Sequence, residues 1–374
     1  MISYHSNRSR LSNWWWTIDK TLLTCICALM LIGIFLTFSA SPAVATRIGF
    51  GSFHFIKRHL FFTPIAFAVM IFLSMQRLKI IRRVALIGCL AALLLVWLTY
   101  ITEGNKGASR WITLCGLSLQ PSEFLKPFFI VTTAWFFAGH SQNKEFPGNL
   151  LAFILCGMVI PSVACQPDVG MTIVIFLVWC FQFYLNGMPI IILVVLGILG
   201  VIGLGAAYFF MPHFQVRIHQ FMASGGELSF QVKKSLEAFQ SGSFFGRGPG
   251  EGIVRSYIPD AHTDFIYAVA GEEYGVFLCL TIVMLYAIIV IRSFLISNKD
   301  NNLFIILSAT GLAASFGIQS IINMASTLHL IPTKGMTLPF ISYGGSSIIA
   351  TAIGMGMLLG ITRKNIHAED KDDG

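Results

Sequence analysis

The chain has 374 residues, 55% of them hydrophobic and 11% charged, with a formal net charge of +8. Soluble domains carry about 25% charged residues, so soluble enzymes, nucleic-acid binders, disordered chains and disulfide-stapled secreted domains are all disfavoured. The mean hydropathy of +0.75 leaves a protein that uses lipid as its solvent, and its positive charge reads as basic residues at membrane edges rather than a nucleic-acid surface.

A bilayer-spanning helix needs about 20 mostly apolar residues. Ten stretches qualify: 21–40, 59–75, 84–101, 121–139, 150–165, 170–186, 189–211, 264–291, 303–325 and 345–362. The expected fold is all-α, one polytopic transmembrane domain over residues 1–374 with about ten helices. Trp14, Trp15 and Trp16 before the first span suit an interfacial aromatic belt. Ala43-Val44-Ala45 resembles a signal-peptide cleavage site, but the apolar stretch is longer than a signal-peptide core and further spans follow. Asn186-Gly187-Met188-Pro189 reads as a tight turn between antiparallel helices. The cysteines show no zinc or redox spacing and read as small apolar fillers.

Basic residues set the orientation. Arg8, Arg10 and Lys20 precede the first span, Arg77, Lys79, Arg82 and Arg83 fill the second loop, and Arg363 and Lys364 follow the last span. With ten spans these places share one side, which makes the tails 1–20 and 363–374 cytoplasmic. Arg47, Lys57 and Arg58 then lie outside, as do the basic residues of the long loop 212–263. The outer side thus holds three long connections, 102–120, 212–263 and 326–344. No Walker A motif is present, and no cytoplasmic loop has room for a nucleotide domain.

The polar motifs follow in chain order. Arg110 closes Asn105–Arg110 and precedes Gln120-Pro121-Ser122-Glu123, where Pro121 suits a first helical turn and Glu123 can meet Lys126 on one face. That pair reads either as a structural ion pair or as a cation, Lys126, beside a cavity. Asp168 in Gln166-Pro167-Asp168 reads as the cap of the sixth span, with an acid facing a polar cavity or a partner as the other reading. Residues 228–239 place Leu228, Val232, Leu236 and Phe239 on one face, an amphipathic helix expected to lie on the membrane surface. A Gly-rich hinge with one cation, Arg247, comes next. The stretch Pro259 to Glu273 then carries Asp264, Glu272 and Glu273 into the eighth span. Acids there are costly, so a functional role is the default expectation. Pro332 to Ser347 holds two prolines, three glycines and one charge, Lys334, and reads as a re-entrant or tightly folded loop lining protein or a watery cavity.

Five of these motifs stand in an order that resembles the SEDS family (shape, elongation, division, sporulation) of membrane peptidoglycan glycosyltransferases. They are Gly107–Ile112, Gln120–Glu123, Gln166–Asp168, Ala261–Phe265 and Pro332–Ser347. The Pro332–Gly335 run with Ile341–Ser347 is closer to division members than to elongation members. The resemblance implies ten helices and a substrate of lipid II, a disaccharide-pentapeptide on undecaprenyl diphosphate, polymerised outside the cytoplasmic (inner) membrane during septal wall synthesis. It also implies a class B penicillin-binding protein transpeptidase and other division proteins as partners. The family's essential acid maps onto Asp264. Family members often carry an Arg and a Trp where this chain has Gln220 and Phe244.

Such a transfer needs one base for the attacking sugar hydroxyl and cations for the departing diphosphate. Asp264 is the expected base, with Lys334, Arg110 and Arg247 as diphosphate contacts and a divalent cation (Mg or Mn) as an option. His262, Glu123, Lys126, Ser342 and Ser346 complete the substrate-binding candidates. Two other readings stay open: a lipid II flippase, which wants its charges near mid-bilayer, and a division scaffold without chemistry.

Overall fold

The computed structural model describes residues 10–101, 110–114, 117–222 and 230–364. Residues 105–109, Leu228 and the tail beyond residue 364 lie outside that description. The helices in chain order are α1 (Arg10–Thr17), α2 (Lys20–Arg47), α3 (His54–Ser74), α4 (Leu78–Leu98), α5 (Pro121–Gln142), α6 (Gly148–Ala164) and α7 (Val169–Leu185). They continue with α8 (Ile190–Phe210), α9 (Pro212–Met222), α10 (Phe230–Gly242), α11 (Ile266–Ser297), α12 (Leu303–Thr327) and α13 (Gly345–Ile361). One helix occupies each of the ten apolar stretches, and the chain is a multi-pass membrane protein. Two three-residue strands, β1 (Ile112–Leu114) and β2 (Leu117–Leu119), pair antiparallel with Ile112 opposite Leu119, the one departure from an all-α reading among the described residues.

Among the described residues six helices, α2, α3, α4, α8, α11 and α12, are long and apolar enough to cross a bilayer. The helices α6, α7 and α13 have 17 residues each, about 26 Å at the α-helical rise and short of a hydrocarbon core of about 30 Å. In α7 and α13 the missing length lies at one end of the bundle, where loops fold in. Helix α8 packs on α7 and α9 and buries none of its residues. It is therefore apolar on every side, as a helix bathed in lipid must be.

The two ends of the described chain meet at one end of the bundle. The Lys364 N–H donates to Thr17 O at 3.0 Å, Arg363 donates to Gln76 O at 3.2 Å, and Arg292 pairs with Asp19 at 2.9 Å. Trp14 of α1 donates to Ser74 at 2.8 Å, while Lys20 sits 5.3 and 5.1 Å from the rings of Trp15 and Trp16. At the opposite end α3, α5, α7, α11 and α13 all begin, and the long connections gather.

One of those connections enters the bundle. Helix α10 does not lie flat on a surface as its polarity suggests. It runs down the side of α11 with Val232, Ser235, Ala238 and Gly242 buried, and Phe239 lies 5.7 Å from Tyr267. Gly242 reaches Gly271, five residues past the start of α11 and so about 8 Å along it. A Cβ on Gly242 would stand 1.9 Å from Gly271 O, which is why the contact requires glycine. The chain then turns and leaves through a short 3-10 helix, Val254–Tyr257.

Where this hairpin touches α11, the helix breaks at Gly275, whose φ of 70° suits glycine. Freed backbone groups find partners across the break. Val276 N–H donates to Ser243 O at 3.2 Å, while Arg247 and Gly248 N–H donate to Glu272 O and Glu273 O at 2.9 and 3.0 Å. The two acids read as functional in sequence are taken up here. Glu272 accepts the N–H groups of Ile253, Val254 and Arg255, each at 2.7 Å. Glu273 pairs with Arg255 and Ser39. The Glu272 carboxylate thus satisfies non-helical backbone within the bundle, and Glu273 ties the hairpin's Arg255 to α2.

Overpacking a close backbone contact costs about 1–3 kcal/mol. Gly242→Ala is therefore expected to lower the apparent melting temperature of the detergent-purified protein by several degrees. Gly157→Ala, where a Cβ meets nothing within 4 Å, is expected to leave it unchanged in the same melt.

Candidate active site

Two cavities of about 390 Å³ each lie at the end where the five helices begin, and a third of about 240 Å³ shares walls with both. The first is lined by Arg58, Arg110, Asp168, Asp264, Tyr343 and Ser346 among others. The second is lined by Arg110, Asp168, Arg217, Gln220 and Lys334, with apolar Met211 and Phe214 on α8–α9. Asp260, Asp264, Arg217 and Lys334 all border the third. Four cations and three aspartates thus surround one connected region.

Local structure explains each placement. Asp168 caps α7 by accepting Met171 N–H at 3.2 Å and also lies 3.9 Å from Arg110, so its cap role and its place in the cavity wall coincide. Arg110 is held by Gln166 O at 2.7 Å and by Pro167 O, which leaves its guanidinium at the junction of the first two cavities. Ser346, in the first turn of α13, donates to Ser118 O at 3.0 Å and accepts Gln120 N–H at 3.1 Å, tying β2 to the cavity rim. Arg217 and Gln220 arrive on α9, and Lys334 on the loop before α13.

Asp264 precedes α11, and a Cβ on Gly335 would lie 3.3 Å from its Oδ2. Burial, reinforced by Asp260 and opposed by Arg217, pushes its carboxyl up to about 7. Burial likewise lowers Lys334, opposed by Asp168. It lowers Arg217 with help from Arg110, against Asp264 and Asp168. The site therefore sets an acid with a near-neutral pKa beside partly desolvated cations, a pattern that marks functional sites.

Four sequence candidates lie elsewhere. Arg247 is exposed on the inserted hairpin, its Nε 3.5 Å from Ser241 O, and borders none of the three cavities. His262 is packed between the rings of Phe55 and Tyr343 at 4.3 and 5.4 Å, and burial lowers its pKa to about 4. Ser342 bonds only backbone, donating to Thr263 O at 2.5 Å and accepting Leu338 N–H at 2.8 Å. Lys126 is buried against Glu123 at 3.0 Å and against Gln319; Glu123 reaches the wall of the first cavity, whereas Lys126 lies behind it. Among the described residues no group of three or more His, Cys, Asp or Glu is placed to hold a metal ion.

Sequence reasoning passed over Arg58, Arg217 and Asp260. In sequence Arg58 and Arg217 look like the other basic residues of their loops, and only the cavity brings them to the site. Asp260 was hidden by the attention given to acids inside the span.

The family model for cell cycle proteins of the FtsW, RodA and SpoVE type matches residues 19–367. The chain belongs to this family, the SEDS proteins. A relative from Caulobacter vibrioides, named probable peptidoglycan glycosyltransferase FtsW, is 41% identical over 96% of this chain and 93% of its own length. One of the same name from Geobacter sulfurreducens is 34% identical over 92% and 95%. Among solved structures, a chain of a peptidoglycan synthase complex described as coordinating polymerization and crosslinking superposes with a TM-score of 0.75 at 23% identity, covering 93% of this chain and 98% of that one. The rod shape determining protein RodA of Thermus thermophilus superposes with a TM-score of 0.65 at 23% identity, over 93% and 97%. These two likenesses show that the fold is that of other SEDS proteins.

A raised carboxyl pKa means that the native state holds its proton more tightly than the unfolded chain, so ionisation weakens the fold as pH rises from about 4 to about 7. Asp264→Asn is expected to melt above the wild type at pH 8, with the difference closing towards pH 4. Thermal melts across that range check the sign.

Proposed function

We propose that this SEDS protein is a peptidoglycan glycosyltransferase that polymerises lipid II into glycan strands at the outer face of the inner membrane during septal wall synthesis. The observation that carries the reading is the meeting of Asp264, with its near-neutral pKa, and the cations Arg110, Arg217 and Lys334 around one connected cavity. The relatives' names supply the reaction class, and the cavity supplies groups suited to it.

In the transfer, a sugar hydroxyl of one lipid-linked unit attacks the anomeric carbon bearing the diphosphate of the other. A carbon–oxygen bond forms, the bond to the diphosphate breaks, and undecaprenyl diphosphate leaves with the bonding electrons. The Asp264 carboxylate takes the hydroxyl proton. Arg217, Lys334 and Arg110 neutralise the charge that grows on the leaving group. The starts of α5, α7 and α13 line the first cavity and add the positive ends of three helix dipoles. Apolar Met211 and Phe214 beside the cations of the second cavity suit the junction of a prenyl chain with its diphosphate.

The described charged groups around the cavities gather at one end of the bundle rather than at mid-depth, which favours transfer over transport. The basic residues Lys79, Arg83 and Lys364 at the other end support a cytoplasmic placement of both chain ends. A class B penicillin-binding protein is the partner this reading names, in the manner of the synthase complex whose chain superposes here, with other division proteins around the pair.

Labelled lipid II given to the purified protein with its transpeptidase tests the reading. Asp264→Ala is expected to abolish strand formation, and Arg217→Ala and Lys334→Ala each to lower kcat by about 10²–10³-fold. Arg247→Ala, remote from the cavities, is expected to stay within about threefold of wild type, the level of a surface change. Strands formed by Asp264→Ala at the wild-type rate would overturn the assignment.

A further inference from the structure

Three consecutive backbone carbonyls at the proposed base each accept a hydrogen bond from the loop before α13 or from α12. Tyr343 N–H donates to His262 O at 2.9 Å, Ser342 Oγ donates to Thr263 O at 2.5 Å, and Asn323 Nδ2 donates to Asp264 O at 3.0 Å. Two of these donors lie in the loop that carries Lys334. The third, Asn323, projects from α12 behind it and uses the same amide nitrogen to donate to Met336 O at 2.6 Å. One turn earlier on α12, Gln319 donates to Thr337 O at 3.0 Å. A single amide therefore joins the residue proposed as base to a residue two positions from the proposed diphosphate cation.

Asn323 is 1% exposed, and its Oδ1 has no hydrogen-bond partner. An unpaired buried acceptor costs about 1–3 kcal/mol. The side chain is thus oriented by its two donated bonds alone, and those bonds satisfy carbonyls on two separate segments, Asp264 O and Met336 O. The amide is both a structural tie and the bridge between the base and the loop of the proposed diphosphate cation.

We propose that Asn323, seconded by Ser342, is a positioning residue that fixes the separation of the Asp264 carboxylate from the Lys334 ammonium. The proposal rests on the polymerase reading above. Base and leaving-group cation must straddle the reacting carbon, and a misplacement of about 1 Å costs on the order of 10²-fold in rate. Neither Asn323 nor Ser342 borders the three cavities, so each acts through the backbone it holds.

The test uses the full-length protein with its transpeptidase and labelled lipid II. Asn323→Leu keeps the volume while removing both donated bonds and the orphan acceptor. It is expected to melt below the wild-type temperature, because Asp264 O and Met336 O lose their donor, to lose about 10–100-fold in kcat per folded molecule with little change in KM, and to shift the acid limb of the kcat–pH profile as Asp264 changes surroundings. Ser342→Ala is expected to move the same quantities in the same direction by less. A merely structural role would lower the melting temperature and the active fraction while leaving kcat and the pH profile of the surviving molecules in place. Wild-type kcat with an unmoved acid limb in Asn323→Leu overturns the proposal. If that variant does not accumulate, the same result in Ser342→Ala overturns it. Should Asp264→Ala make strands at the wild-type rate, the failure belongs to the polymerase reading and not to the clamp.

Discussion

Hydrocarbon offers no hydrogen bonds, so every backbone group that leaves a helix inside the bilayer must find a protein partner. The site depends on that constraint. The loop before α13 folds in at one end of the bundle, and the hairpin between α10 and α11 runs down the side of α11. Glu272 supplies the hairpin with an acceptor for three successive N–H groups, and the break at Gly275 exchanges backbone bonds with it. In the loop, Asn323 and Gln319 donate to the carbonyls of Met336 and Thr337, and Ser342 accepts the Leu338 N–H. Because these segments are satisfied, α7 and α13 can begin late, and the space above them becomes the cavity.

Electrostatics follows from that geometry. The cavity edge is shielded from bulk water, so like and unlike charges act strongly on one another. Asp264 is pushed towards neutrality by burial and by Asp260 while Arg217 draws it back. A fully exposed aspartate would be ionised yet a weak base, and one far from any cation would stay protonated. The balance leaves a carboxylate available near pH 7 with enough basicity to accept a proton. The positive groups needed for a departing diphosphate also keep the base from staying protonated at neutral pH.

Much of this was legible in the sequence. Lipid as solvent forces long apolar runs, so the ten spans could be counted directly, and Asp264 and Lys334 stood out because charge is rare in such a chain. The pairings were not legible. Glu272 and Glu273 look like Asp264 in sequence, and only the long-range approach of the hairpin distinguishes acids that hold backbone from one that faces a cavity. Helix α10 has the polarity of a surface helix, yet its small residues, Ser235, Ala238 and Gly242, pack against α11. Arg247 drew attention as the lone cation of a Gly-rich hinge, whereas Arg58 and Arg217 passed as ordinary loop charges. What told them apart was the cavity, a tertiary property that no local pattern carries.

The pH dependence of strand formation tests the central claim most directly, because it reports the ionisation of the group that takes the proton. With wild-type protein, its transpeptidase and saturating lipid II, kcat should be level above pH 8 and fall about tenfold per pH unit below about 7. A rate that stays level down to pH 5 would contradict the assignment of Asp264 as the base.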